Sequence, residues 1–301
     1  MALLRWTWMA AACVLLLWLG CCPAAADPGE AVGGLFSWEQ EAALDEAEEL
    51  FSLMERYGLS ELYQSFPAKA PIGKLTDFLE QARQRGIRVY LLDGNAQWAR
   101  EAKGSSLRKA IKRVAKWNER MPEGVGFSGI MADVEPYLLK EWDDERRDAL
   151  MQTYARGMCA AYQRAQEQGL EMLVCIPFFY DTSGCSSVLE ALAEAGCDGF
   201  AVMNYFRQDE AGQISGEAEI AQRFGRRLIT IYELQEPGDH GLTEKHTYYN
   251  AGMDALMESY RRIGDAFSPQ RVDIALHCYP GLETLVVRTV NDGCPLFGLI
   301  G

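Results

Sequence analysis

Strand-like apolar runs and amphipathic helical segments alternate along almost the whole chain from residue 32 onward. Each run is short, and it is followed by apolar residues at three- and four-residue spacing or by room for a helix. This pattern predicts eight strands, at 32–38, 59–66, 88–93, 127–135, 170–179, 199–206, 228–233 and 272–279. It predicts the intervening helices at 39–57, 74–85, 105–120, 143–168, 186–195, 215–224 and 244–263.

Eight strands in alternation with helices predict an α/β fold, the (β/α)8 or TIM barrel. The 301 residues are enough for one such domain over 27–301 after a leader over 1–26. A doubly wound open sheet is the alternative, but it would carry a glycine-rich phosphate turn after its first strand, and the sequence has none there. The apolar tail at 285–301 is predicted to close the barrel.

The first 26 residues have the composition of a signal peptide. Arg5 supplies the positive start, residues 9–19 form a short apolar core, and three alanines at 24–26 fit a cleavage site. The apolar core is too short for a comfortable membrane span. Because residues 19–22 faintly resemble a lipoprotein box, a lipid anchor at Cys21 or Cys22 is the alternative. We expect a secreted or cell-surface protein.

Composition excludes several classes of partner. The net charge of −14 argues against nucleic acid, which is bound by basic surfaces. Histidines and cysteines lack zinc-ligand spacing such as CxxC or HExxH, so neither a metal nor another cofactor is expected. Cys185 and Cys197 form the one plausible disulfide pair. We expect a monomer that binds carbohydrate, for reasons that follow from the strand ends.

The fourth predicted strand ends on two carboxylates, Asp133 and Glu135. Alternation along a strand points both to the same side, and Pro136 has no N–H with which to extend the ladder. The active sites of (β/α)8 enzymes lie at the C-terminal ends of the strands. Asp133 and Glu135 are therefore candidate catalytic residues, and Asp133 is placed to raise the pKa of its neighbour.

Other strand ends also carry polar side chains. Glu233 ends strand seven and is a third candidate catalytic acid. Glycoside hydrolysis needs a proton donor and a group that stabilises or attacks the sugar carbon, and two carboxyls supply both. The predicted substrate-binding residues are Asp93, Tyr180, Asn204, Tyr205, His277 and Tyr279.

These residues resemble two groups of glycosidases. Gly129-Ile130 and Asp133-Val134-Glu135 look like the second half of the DGxDxDxE signature of family 18 chitinase-like hydrolases, and 203–205 (MNY) looks like their MxY element. This resemblance implies that Glu135 is the general acid, that Asp133 is its partner, and that Tyr205 contacts a substrate N-acetyl group acting as internal nucleophile. Ser128 and Met131 stand where the signature has its first two acids.

The second resemblance is to the large clan of retaining (β/α)8 glycosidases. It depends on Glu135-Pro136 ending strand four, on 204–205 (NY) and on Glu233. It implies Glu135 as acid/base and Glu233 as nucleophile. The whole pattern also looks like that of uncharacterised secreted barrel proteins akin to glycosidases.

Three functions therefore remain open from the sequence. The first is a secreted glycosidase, and the second is a catalytically inactive carbohydrate-binding barrel, which Arg or Lys locked onto the cleft carboxylates would favour. The third is a metal-dependent hydrolase that uses Asp133, Glu135, Glu233 and His277 as ligands. If the protein is a glycosidase, a lone Asp133–Glu135 pair with Tyr205 over the pocket would favour the substrate-assisted mechanism.

Overall fold

The computed structural model describes residues 32–40 and 42–291. The predicted signal peptide, the candidate lipid-anchor cysteines and the last ten residues of the chain lie outside this part. None of the described helices is long and apolar enough to cross a lipid bilayer.

Eight parallel strands close into a barrel in sequence order, which confirms the predicted fold. Each strand pairs with its neighbours in the chain, and the first pairs with the last. The strands are β1 Gly33–Ser37, β2 Glu61–Gln64, β3 Arg88–Asp93, β4 Gly129–Ala132, β5 Glu171–Pro177, β6 Gly199–Met203, β7 Arg227–Glu233 and β8 Asp273–His277.

Helices surround the barrel. They are α1 Ala42–Asp45, α2 Ala47–Arg56, α3 Ile72–Gln84, α4 Ser105–Asn118, α5 Arg147–Glu167, α6 Ser186–Ala195, α7 Glu210–Gln213, α8 Ser215–Phe224, α9 Gly252–Phe267 and α10 Tyr279–Asn291. Helix α10 packs against β1 and β8. The described part of the predicted closing tail thus lies at the seam of the barrel.

The core has two layers. One fills the space between the barrel and its helices, and the other fills the barrel itself. The interior layer consists of Phe36, Tyr63, Tyr90, Leu92, Met131, Leu173, Cys175, Ala201, Met203, Ile229, Ile231 and Ala275. Burial on both faces explains why the strands read as continuous apolar runs.

Strand β4 is shorter than predicted, because it ends at Ala132 and Asp133 and Glu135 follow it. The Asp133 N–H still donates to the Asp93 carbonyl (3.1 Å), after which Pro136 opens a 3-10 turn. Gly94 passes so close to this point that a Cβ there would lie 1.8 Å from the Asp133 carbonyl oxygen. Only glycine fits beside the first of the two acids.

Two other predictions were wrong. The helix predicted from residue 244 begins at Gly252, because Thr247 is bonded to the end of β7: its hydroxyl donates to the carbonyls of Glu233 (3.2 Å) and Gln235 (2.7 Å). Cys185 and Cys197 are free thiols rather than a disulfide, and each donates to a nearby backbone carbonyl.

Candidate active site

A cavity of about 820 Å³ opens at the C-terminal ends of the strands. This is the end of the barrel where (β/α)8 enzymes carry their active sites. Its lining includes five of the nine predicted site residues: Asp133, Glu135, Tyr205, Glu233 and His277. Strands four, six, seven and eight therefore deliver their polar ends into one space.

Asp133 and Glu135 are an acid pair that lines this cavity. Asp133 Oδ1 is shielded from solvent and has no hydrogen-bond partner among the described residues. Burial, reinforced by the Glu135 charge, raises the pKa of Asp133 to about 7, although the charge of His277 and a hydrogen bond with Cys175 oppose the shift. Near neutral pH, the pair therefore retains a proton that an exposed aspartate would have lost.

Glu135 is held by Tyr137, whose hydroxyl donates to Glu135 Oε1. Burial raises the pKa of Glu135, and the Tyr137 hydrogen bond and the His277 charge offset part of that shift. A raised pKa extends the pH range over which a carboxyl carries the proton that a general acid donates.

Glu233 has both carboxylate oxygens engaged. Oε1 accepts the N–H groups of Leu234 (2.9 Å) and Gln235 (2.8 Å), and Oε2 bonds to His277 Nδ1 at 2.8 Å. Burial lowers the pKa of His277, but the hydrogen bond and charge of Glu233 outweigh it, together with the charges of Asp133 and Glu135, so the net shift is upward. Glu233 thus orients the His277 imidazole and favours its cationic form.

Tyr205 lies beside His277, with the ring centroids 6.0 Å apart, and lines the same cavity. The position after β6 is the one predicted from the MxY element. Tyr205 follows β6, which lies between β4 and β7 in the strand order of the barrel.

Four predicted substrate-binding residues are not among the residues that line the cavity. Asp93 pairs with Arg113 at 2.6 Å, and Asn204 is buried, donating to the Glu210 carbonyl at 3.0 Å. Tyr180 and Tyr279 are buried in the apolar layer between the barrel and its helices. Asp93 and Asn204 therefore fix neighbouring structure, and the two tyrosine rings pack in the core.

Sequence reasoning missed Trp38 and Leu138, which are the two exposed large apolar side chains in the described part of the chain, at 37% and 62% exposure. Both line the cavity. An exposed indole beside a polar cavity suits stacking on a sugar ring, because sugar rings present apolar C–H faces. The available signal was their position just after strands one and four.

Two features of the lining bear on the alternatives. No lysine or arginine is among the described residues that line the cavity, so none neutralises the carboxylates there. Across 32–40 and 42–291, no cluster of three or more His, Cys, Asp or Glu side chains is arranged to hold a metal ion. The metal-dependent alternative therefore lacks a donor set in this part of the chain.

Comparisons with known proteins bear on the fold. No family model and no curated protein matches the sequence. A family 18 chitinase from Pseudoalteromonas aurantia is similar over 85% of this chain and 99% of its own, with a TM-score of 0.54 and 10% identity. A chitinase from Bacteroides thetaiotaomicron has a TM-score of 0.53 at 10% identity, covering 88% of this chain and 98% of its own.

A third structure, the spore cortex-lytic enzyme SleL of Bacillus megaterium, has a TM-score of 0.53 at 13% identity, over 87% of this chain and 75% of its own. Identities of 10–13% show that the folds are similar and nothing further. The chain is a TIM-barrel protein with the fold of family 18 glycoside hydrolases, and the fold-level resemblance predicted from the sequence is confirmed.

Proposed function

We propose that the protein is a glycoside hydrolase that cleaves a polysaccharide or glycan, with Glu135 as the general acid. The observation that carries the proposal is the pair of acids, Asp133 and Glu135, on the cavity wall, where burial raises the pKa of both carboxyls. A protonated carboxyl beside a sugar-sized space is the group that glycosidic bond cleavage requires.

The geometry favours substrate assistance over a protein nucleophile. Glu233 is bonded through both oxygens, so attack on the sugar carbon would have to break contacts that hold it in place. Asp133, in contrast, has a free oxygen, Oδ1, which suits the N–H of a substrate 2-acetamido group. The family 18 resemblance of residues 129–135 leads to the same assignment.

In the proposed reaction, the substrate N–H bound at Asp133 favours the Asp133 carboxylate, so the proton that the pair retains lies on Glu135. Glu135 donates this proton to the leaving oxygen while the acetamido oxygen attacks the anomeric carbon. This breaks the glycosidic bond and forms a cyclic oxazolinium, whose N–H Asp133 stabilises. The Glu135 carboxylate then takes a proton from water as the water oxygen attacks the anomeric carbon. This attack breaks the bond between that carbon and the acetamido oxygen, restores the acid and releases the sugar.

The absence of Lys and Arg from the described cavity lining supports catalysis over the inactive sugar-binding alternative, because no permanently charged side chain there holds the acid pair ionised. We further propose that the protein acts outside the cell, as the composition of residues 1–26 predicts. Export can be tested separately by fractionating cells that express the full chain.

The test compares substrates and variants. Wild type, Glu135→Gln and Glu233→Gln are assayed on 4-nitrophenyl 2-acetamido-glycosides, on the matching glycosides with a 2-hydroxyl, and on natural N-acetylated glycans. Wild type should cleave only acetamido substrates. Loss of general-acid catalysis should lower the rate of Glu135→Gln about 10²–10⁴-fold. The loss should be larger on the glycan than on the nitrophenyl glycoside, whose leaving group needs little protonation.

Glu123→Gln, at an exposed glutamate without an ion pair in the described structure, is the matched control and should behave as wild type. Equal activity in wild type, Glu135→Gln and Glu233→Gln would remove the assignment. Cleavage of 2-hydroxyl substrates that is lost in Glu233→Gln would instead favour a Glu233 nucleophile.

A further inference from the structure

Helix α4 carries a concentration of positive charge that the proposed reaction does not use. The chain as a whole has a net charge of −14, yet Arg108–Arg120 contains six lysines and arginines and a single acid, Glu119. The buried side of α4 is apolar, with Leu107, Ile111 and Val114 packed inward. All the charge is therefore displayed on one outer surface of the barrel.

Most of this charge is left unpaired. Arg113 bonds to Asp93, but Lys109, Lys112 and Lys116 have no ion pair or hydrogen bond among the described residues, although acids outnumber bases in the chain. Arginines on other surfaces do find partners; Arg100, for example, lies 2.7 Å from Glu141. Unpaired like charges repel one another, so this arrangement costs stability unless an anion neutralises it.

The lysines border a groove of about 520 Å³. It is lined by Lys109, Lys112, Arg113, Lys116, Trp117, Glu119 and Arg120. Lys109, Lys112 and Lys116 follow each other at three- and four-residue spacing, so they form a stripe roughly 10 Å long down one helix face. A linear polymer with repeated acidic groups matches a stripe of this form.

Other anionic partners fit less well. The exposed large apolar side chains of the described structure, Trp38 and Leu138, lie at the cavity and not on α4, so a membrane would meet nothing to insert. Single-stranded nucleic acid is usually held by exposed aromatic rings, but Trp117 is 7% exposed and lies under the Arg113 guanidinium. Arg113 is also bound to Asp93 and is not free to read a base edge.

We infer that the outer face of α4 is a second glycan site, which binds the acidic groups of a polysaccharide through Lys109, Lys112 and Lys116. The choice of a glycan as the ligand rests on the proposed function. The positive charge and the groove on α4 are observed independently of that function. Arg113 joins the groove to Asp93, the last residue of β3, so this surface begins at the same end of the barrel as the cavity. A chain bound on α4 would hold the enzyme on its polymer between cleavage events.

The test measures binding without turnover. Wild type and the triple variant Lys109→Gln, Lys112→Gln, Lys116→Gln are titrated at about 50 mM and 500 mM salt with heparin as the acidic probe and dextran as the neutral one. Wild type should bind heparin only, and high salt should abolish that binding because it screens exposed charges. The triple variant should bind at least about ten-fold more weakly, a loss of about 1.4 kcal/mol.

A control triple variant, Lys69→Gln, Lys103→Gln, Lys140→Gln, removes the same charge from exposed lysines elsewhere and should bind as wild type. Equal heparin affinity of wild type and the α4 variant would overturn the inference. So would wild-type binding to phosphatidylglycerol vesicles or to single-stranded DNA as tight as to heparin. Both triple variants should hydrolyse a small 4-nitrophenyl substrate at the wild-type rate, so failure of this site and failure of the proposed reaction are distinguishable.

Discussion

Asp133 occupies a position that is unfavourable for folding. Its carboxyl is beside a second acid, and its Oδ1 is shielded without a partner. The spacing of Asp133 and Glu135 predicted their shared side, and the cavity contains both. The neighbour that completes the environment, Cys175, could not be identified, because a cysteine inside an apolar strand is most simply a small core residue. A buried acid without a partner lowers stability, so its presence indicates a functional role.

The pKa of Asp133 predicts a pH-dependent effect of Asp133→Asn on stability. The folded pKa of about 7 exceeds the unfolded value of about 3.9, so the folded state binds the extra proton between these values. Wild-type stability from this group is therefore full below about pH 4, declines as the pH rises, and is lost above about pH 7. The asparagine variant lacks this decline.

Urea unfolding at several pH values measures the effect. From pH 4 to pH 8, the free energy of unfolding of Asp133→Asn should gain about 1–3 kcal/mol relative to wild type. A shift of three full pKa units would correspond to a larger free energy. The expected gain is smaller because the Asp133 side chain borders an open cavity. Asp143→Asn, at an exposed position, should show no such trend. Parallel pH curves for wild type and Asp133→Asn would contradict the expectation.

Among the elements, strands were easier to predict than the loops that follow them. Strand β3 has the predicted bounds, because an apolar run buried on both faces is visible in sequence. The helix predicted from residue 244 includes residues 244–251, which belong to the loop after β7, because the attachment of this loop to β7 through Thr247 is a tertiary contact. The sequence also does not show which way a residue after a strand faces. Tyr279 was therefore predicted in the site although it does not line the cavity, and Trp38, which lines it, was not predicted.

The ends of β7 and β8 form one unit, the Glu233–His277 pair, and Glu233→Gln tests it. Loss of the carboxylate removes the two strongest interactions that raise the pKa of His277, while burial, which lowers it, stays and only the charges of Asp133 and Glu135 still oppose it. The His277 titration midpoint should therefore fall below its wild-type value. Proton–carbon NMR of the imidazole Cε1–H groups measures it, with His240 and His246 as internal controls. An unchanged His277 midpoint would show that Glu233 does not control its charge.

The two ends of the whole barrel have different electrostatic roles. The C-terminal end holds the cavity, whereas the N-terminal end is closed by an ion network at the starts of five strands. Arg227 bonds to Glu61 (3.1 Å) and Asp273 (2.8 Å), and Arg88 bonds to Glu61 (3.1 Å) and Glu171 (2.5 Å). The fold was predictable because its pattern recurs eight times. The network was not, because charged residues at strand starts also fit a solvent-exposed position.

Arg227 should therefore be worth far more to stability than an arginine in a surface ion pair. Glu61 and Asp273 are 1% and 2% exposed, so Arg227→Leu would leave two buried carboxylates without their shared cation. Removing one member of such a group costs about 3–5 kcal/mol, because the remaining charges stay out of water. Arg223→Leu is the matched comparison: Arg223 pairs with Glu190, and both side chains are 49% exposed. That loss should be below about 1 kcal/mol. Chemical denaturation of both variants at pH 7 measures the difference, and equal losses would mean that the N-terminal network is solvated and does not seal the barrel.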